Sequence, residues 1–312
     1  MVNNFGGFRP CFLRCAVLNW VEAIKPEYTC LYTAKWDLIG GSRRAKSYRK
    51  GGSRSAMIDK WTLTIPELTG EEPRRAYVYV PDWAEEEPEL RLPVLYMFDG
   101  HNVFFDEDAT YGKSWGMKEY LEAEGTPLIV AAVESNRHPN TDRLSEYSPF
   151  SFRDDRYGRV KGQGRTTMEW FVNVFKPEID EKYPTLPDRG HTFIAGSSMG
   201  GLMSLYALLR YNKVFSRAAA LSPSLWVDPQ RLEKLIRTAR LRPNGVLYMD
   251  YGQRELPNNP GMEEGLRRAI SLLMERGLLV TYRTVPGGEH SEASWERQVP
   301  FFIETLLYGV EV

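Results

Sequence analysis

The stretch HTFIAGSSMGGLMSLYALL, residues 191–209, decides the fold of this chain. It opens with a short apolar run, Thr192 to Ala195, of the length of a buried strand. It closes with Leu202, Leu205, Tyr206 and Leu209 at i, i+3, i+4 and i+7, the spacing of one helix face. Between them Gly196-Ser197-Ser198-Met199-Gly200 matches G-x-S-x-G. A serine is a weak nucleophile until a base takes its proton, and it must stand clear of the backbone to reach a substrate. A sharp strand-to-helix turn does the second, lifting Oγ off the sheet edge. Gly196 and Gly200 suit a bend that a Cβ would crowd, so Ser198 is the candidate nucleophile and Ser197 is out of frame. The pattern alone arises by chance, but the strand before it and the helix after it are separate requirements, and both are met.

Moving outward, a nucleophilic serine needs a base, and the chain has four histidines: His101, His138, His191 and His290. His191 opens the buried strand, at the rim opposite Ser198, which suits a structural role. His138 lies in a long polar segment. His290 sits in Pro286-Gly287-Gly288-Glu289-His290, a glycine-bearing loop between the last strand pattern and the last helix pattern. That position makes His290 the candidate general base. An acid is needed to orient the imidazole, on a loop after a strand between the serine and the histidine. Glu255, in Gly252-Gln253-Arg254-Glu255, is the choice, and Asp250, at the end of the same strand, is the alternative. For the oxyanion hole the donors expected are the amides of Met199, directly after the nucleophile, and His101, after the turn at Gly100.

Composition narrows the class. The 312 residues carry a net charge of −1, and no apolar run reaches the length of a membrane span. The charge is uneven: residues 1–56 hold ten Lys and Arg against three acids, and the remainder is net −8. Cys11, Cys15 and Cys30 all lie in that leader, so residues 57–312 need no disulfide, and the spacing offers no zinc site. The run Gly40 to Ser55 is basic and rich in Gly and Ser. Residues 1–56 are therefore expected to be a poorly ordered basic leader, and 57–312 a single domain. No signal peptide is evident, since Asn19 and Glu22 break the best apolar run. The expected compartment is the cytoplasm, with no nucleic-acid partner, no membrane and no cofactor or metal.

The domain reads as an opening antiparallel hairpin (Trp61 to Ile65 and Ala76 to Val80). Strand and helix patterns then alternate: strands at 93–98, 128–133, 192–195, 215–221, 246–251 and 278–284, helices at 114–124, 166–183, 229–239, 262–276 and 291–307, with the helical pattern of 202–209 after the central turn. Ser114 is the expected cap of the first helix, and 134–164 reads as a long polar loop. Such alternation implies an α/β fold, a mainly parallel central sheet with helices on both faces. Ligands bind outside the carboxyl ends of such strands, so every motif above shares one rim.

Seven segments carry a family resemblance: YMFDGHNVFFD (96–106), GKSWGMKEYL (112–121), RLSEYSPF (143–150), FIAGSSMGGLMSLYALL (193–209), ALSPSLWVDP (220–229), YGQRE (251–255) and GGEH (287–290). The chain from Met57 onward resembles the Putative esterase family of the α/β-hydrolase superfamily, which includes enterochelin, feruloyl and acetyl-xylan esterases, esterase D and mycolyl transferases. The resemblance implies an α/β-hydrolase fold and an acyl-serine intermediate on Ser198, with His290 and an acid that is Asp or Glu. Residues 1–56 have no counterpart in it.

The rim segments are aromatic: Phe104, Phe105, Trp115, Tyr147, Phe150, Phe152 and Trp226. Trp226, Phe104 and Tyr147 are the expected substrate contacts, suited to an apolar acyl group, a phenolic acid or a sugar face. The expected activity is a serine ester hydrolase acting on a small-molecule, glycan-linked or siderophore-linked ester. The alternatives are an acyltransferase with the same triad and a non-catalytic binding module on a hydrolase scaffold.

Overall fold

The computed structural model describes residues 58–87, 89–136, 142–255 and 260–311. The leader expected at 1–56 and the loop histidine His138 lie outside the described residues. In chain order the elements are β1 (Ile58–Thr64), α1 (Pro66–Thr69), β2 (Pro73–Tyr79), β3 (Val94–Met97), α2 (Met117–Glu124), β4 (Ile129–Val133), α3 (Asp142–Glu146), β5 (Phe152–Asp154), β6 (Gly158–Val160), α4 (Gly164–Trp170) and α5 (Lys176–Lys182). The second half follows with β7 (Thr192–Ser197), α6 (Met199–Arg210), β8 (Arg217–Leu221), α7 (Pro229–Thr238), β9 (Val246–Gly252), α8 (Pro260–Glu275), β10 (Leu279–Val285), α9 (Glu292–Glu296) and α10 (Val299–Leu307).

Eight strands form one sheet in the order β1-β2-β4-β3-β7-β8-β9-β10. The β1–β2 hairpin is antiparallel and β2 runs antiparallel to β4; every other pairing is parallel. Period-two alternation sorts the strand residues onto two faces. Tyr96, Ile194, Ala218, Ala220 and Met249 enter one apolar cluster, with α4 through α8. Met97, Phe193, Ala195, Ala219 and Tyr248 enter the other, with α2 and α10. This is an α/β-hydrolase arrangement, covered on both faces. Each fully buried Val, Leu or Phe contributes about 1.5–3 kcal/mol, so the middle of the sheet is the rigid base from which the rim loops extend.

The structure corrects the sequence in four places. Helix α6 is not amphipathic: all its residues except Arg210 are buried, as befits a helix wedged between the sheet and its neighbours. Ser114 does not cap α2. Gly116, at φ 58°, holds that position, and Ser114 Oγ donates instead to Asp106 Oδ1 at 2.7 Å. The expected loop 134–164 contains α3 and the β5–β6 hairpin, whose Phe152 and Val160 are buried. The expected closing helix is two, α9 and α10, because Pro300 at the start of α10 has no N–H to give and its ring crowds the carbonyl four residues back. The 166–183 helix is continuous but carries a π turn at Phe171–Phe175, which lets Trp170 and Phe175 stack at 5.3 Å.

Candidate active site

Ser198 lies one residue past the carboxyl end of β7 and immediately before α6, with φ 57° and ψ −118°. That backbone is costly for a residue with a Cβ and persists only where its surroundings impose it. They do so here by close approach. A Cβ on Gly196 would sit 2.8 Å from the carbonyl carbon of Gly200, so the two glycines let the chain fold back on itself. The neighbouring strand pins the bend from the side: Ser198 N–H donates to Leu221 O at 2.9 Å, and Ser224 N–H donates to Ser198 O at 3.0 Å. Met199 is the first residue of α6, so its amide lies ahead of the helix's own hydrogen-bond ladder and at the positive end of its dipole. Among the described residues Ser198 Oγ has Ser224 Oγ as its hydrogen-bond partner, at 3.4 Å.

Two strands over, the loops after β9 and β10 are pressed together. A Cβ on Gly252 would lie 2.4 Å from Gly288 O, so only glycine permits this contact. Arg254 N–H donates to Gly288 O at 3.0 Å and Gln253 N–H to Val285 O at 2.9 Å, closing the two loops into one unit. The result is a hydrogen bond of 2.7 Å between His290 Nδ1 and Glu255 Oε2. Glu255 Oε1 accepts from Ser222 Oγ and from Gly252 N–H, both at 2.7 Å. Burial alone would raise the Glu255 carboxyl; the bonds from His290, Ser222 and Gly252 outweigh it and hold it below the usual carboxylate range. Asp250, the alternative acid, faces elsewhere. It is 1% exposed and accepts from Tyr248 Oη and Ser222 N–H. Burial, against those two bonds and with the nearby Glu255 charge, pushes it up to about 7.

On the other side of Ser198, β3 leads into Asp99-Gly100-His101. Asp99 has φ 56°, its N–H donates to Tyr147 Oη at 3.2 Å, and Arg143 grips both its oxygens at 2.7 and 2.6 Å. Burial works to raise Asp99, and the charge and hydrogen bonds of Arg143 more than offset it. Helix α3, which supplies Arg143, is itself anchored by the buried pair Arg74–Glu146 at 2.7 Å. His101 sits in the short turn after Gly100, with its ring Nε2 3.0 Å from Thr110 Oγ1. His191 is at the amino end of β7 as expected, bonded to Asp188 at 2.7 Å and to Glu311 O at 3.1 Å, far from this rim.

Two of the expected substrate contacts are displaced. Phe104 is 2% exposed and packs on Tyr77 and Phe105, and Tyr147 is fully buried with its hydroxyl on Asp99. Both were drawn inward because an aromatic beside a strand end buries more area against the core than over it. Trp226 is exposed. It stacks on Tyr157, meets Phe152 edge-on and lines a groove between α7 and α8 with Leu232, Ile236 and Leu272. The sequence assigned no role to Ser222, Ser224, Trp295, Glu292 or the Asp99–Arg143 pair. All lie inside the quoted motifs or directly after GGEH, which was the available signal. Glu292 is buried, which raises its carboxyl, and the charges of Asp99, Arg143 and His290 reach it. No helix among the described residues is long and apolar enough to cross a membrane.

Over 167 residues the chain is 25% identical to the "Uncharacterized protein YbbA" of Bacillus subtilis, covering 53% of this chain and 62% of that protein, so it spans less than two thirds of that relative. The solved "Enterobactin and Salmochelin Hydrolase IroE" superposes with a TM-score of 0.58 at 20% identity, over 79% of this chain and 94% of that one. A solved "ferulic acid esterase" gives 0.55 at 18%, over 81% and 98%. At those identities the two structures speak for the fold. Residues 68–307 match the model described as "Putative esterase", which spans the sheet from β2 onward and every rim loop above. The chain therefore belongs to the Putative esterase family.

Proposed function

We propose that this protein is a serine carboxylic ester hydrolase in which Ser198 is the nucleophile, His290 the general base and Glu255 the acid that orients it. The observation that carries the reading is the 2.7 Å bond between His290 Nδ1 and Glu255 Oε2, on the same strand-end rim as the strained Ser198. A carboxylate only accepts, so Nδ1 bears the proton and Nε2 is left as the basic nitrogen. In the reaction His290 Nε2 takes the Ser198 proton as Oγ attacks the ester carbonyl, then returns it to the departing alcohol. Water repeats the sequence on the acyl-serine and releases the acid. The serine–imidazole contact is the step that forms with substrate, as catalytic hydrogen bonds are often long without one. The oxyanion is held by the amides of Met199 and His101, on the two strand ends that flank the attack.

The family and the fold of its solved relatives support esters as substrates. Trp226, partly exposed and two residues after Ser224 in the chain, favours an acyl or alcohol part with a flat apolar face, in a small, glycan-linked or siderophore-linked ester. Residues 57–312 carry this activity, and the absence of cysteine from them suits the cytoplasm. Labelling with a fluorophosphonate tests the reading: wild type should react and Ser198→Ala should not. A wild type that resists the probe and leaves short nitrophenyl esters intact would end it, in favour of a binding module.

A further inference from the structure

We propose that Ser222 and Trp295 are positioning residues that act through Glu255, as the outer half of a closed four-residue ring at the rim. The inference rests on the triad reading above. Ser222 directly follows β8, the strand between the nucleophile's and the acid's, and it is 2% exposed. Its φ is 42°, a left-handed backbone that any side chain makes costly. The sharp turn is held from several directions. Ser222 N–H donates to both Asp250 O and Asp250 Oδ1 at 3.1 Å, and Tyr251 Oη donates to Pro223 O. In that conformation the hydroxyl points at the acid, with Ser222 Oγ 2.7 Å from Glu255 Oε1.

The direction of each hydrogen bond follows from the groups themselves. The Trp295 indole N–H can only donate, and it meets Ser222 Oγ at 3.1 Å. An ionised carboxylate can only accept. The single hydroxyl proton of Ser222 must therefore go to Glu255. With Gly252 N–H also on Oε1, that oxygen is occupied, and Oε2 is left for His290 Nδ1. The ring closes because Trp295 also meets the imidazole edge-to-face, with centroids 5.1 Å apart at 81°. Trp295 thus touches the base by its ring and the acid through Ser222. A carboxylate free to rotate would offer either oxygen to His290 at a varying angle; this one has a single orientation.

The strain at Ser222 supplies a clean test. Ser222→Gly removes the hydroxyl and at the same time relieves the left-handed backbone, so part of the stability lost with the bonds to Glu255 and Trp295 is returned. The expected result is a Tm lowered by only a few degrees, with the protein fully folded at assay temperature, and a kcat on a short nitrophenyl ester lower by about 10- to 100-fold, the worth of one hydrogen bond to a charged group. KM should stay within about twofold, since uniform substrate binding is untouched. Trp295→Phe should lower kcat in the wild-type background and have a clearly smaller effect on kcat in the Ser222→Gly background, because the part that works through the hydroxyl is already gone and only the ring contact with His290 is left to change. Wild-type kcat in Ser222→Gly would overturn the inference, as would independent, multiplying losses in the double variant, or a fall in kcat that merely tracks a fall in Tm. Each leaves the triad standing, whereas an inactive wild type would remove the triad reading itself.

Discussion

The two loops that flank Ser198 are held by different physics. On the β3 side the support is a partly buried ion pair: Arg143 clamps Asp99, and Arg74 with Glu146 fixes the helix that delivers it. On the β9–β10 side, the contact is backbone against backbone at Gly252 and Gly288, finished by a carboxylate that collects three donors. The difference teaches where each side is vulnerable. An ion-paired support fails when charge is stranded, and it is sensitive to pH. A glycine contact fails when volume is added, and it is not.

The sharpest separation between the two candidate acids comes first, because it carries the largest effect. Glu255→Gln should cost about ten-thousand-fold in kcat, the scale seen when a triad imidazole loses the partner that sets its tautomer. Asp250→Asn should cost far less in turnover, and its effect should appear in stability. The Asp250 carboxyl is raised to about 7, so its stabilising neutral form is fully present below its ordinary value near 4 and is lost as pH rises through the folded value. Tm of wild type relative to Asp250→Asn should therefore fall between about pH 4 and 7. A larger turnover loss in Asp250→Asn than in Glu255→Gln would move the acid to β9 proper.

Next in size is the ion-paired side. Arg143→Ala should cost about 3 kcal/mol by urea unfolding at pH 7, the low end for stranding a buried charge, since a third of the Arg143 side chain is already in solvent. Asp99 is held low in the folded protein, so its contribution exists above the unfolded value near 3.9 and fades as pH falls. The gap between wild type and Arg143→Ala should persist down to about pH 4 and close below it. A gap of constant size would mean that Arg143 acts by packing alone.

On the glycine side, Gly252→Ala should destabilise by about 1–3 kcal/mol, the range for forced overpacking. Its loss of turnover should exceed what its unfolded fraction explains, because relief of the clash with Gly288 O moves Glu255 away from His290. In contrast with Arg143→Ala, the overpacking part of this penalty involves no charge and should be flat with pH. The smallest effect belongs to His191→Ala at the far end of β7. Its exposed ion pair with Asp188 is worth about 0–1 kcal/mol, and esterase turnover should be unchanged.

Much of the site was legible in the chain itself. Residues 192–209 announce a strand, a bend and a helix by their spacing, and the bend needs its glycines wherever the rest of the protein lies. That His290 and Glu255 lie on one rim was legible from their place after strand patterns, because the loops after the strands of a parallel sheet collect there. The aromatic contacts were not legible in that way. Phe104, Tyr147 and Trp226 look alike in a rim segment, yet the first two fill the core and only the third reaches solvent. Which side an aromatic takes depends on space left by residues far away in sequence.

By itself, then, the sequence determined the α/β order, the parallel sheet with its antiparallel opening, and the tight bend at Ser198, since periodicity and local backbone demands are written within a few residues of each other. Tertiary structure alone decided that Glu255 rather than Asp250 meets His290, that Ser222 and Trp295 stand behind that pair, and that Arg143 grips Asp99. Those contacts join residues between 33 and 73 positions apart, and only the packing of one strand end against the next brings them within hydrogen-bond distance.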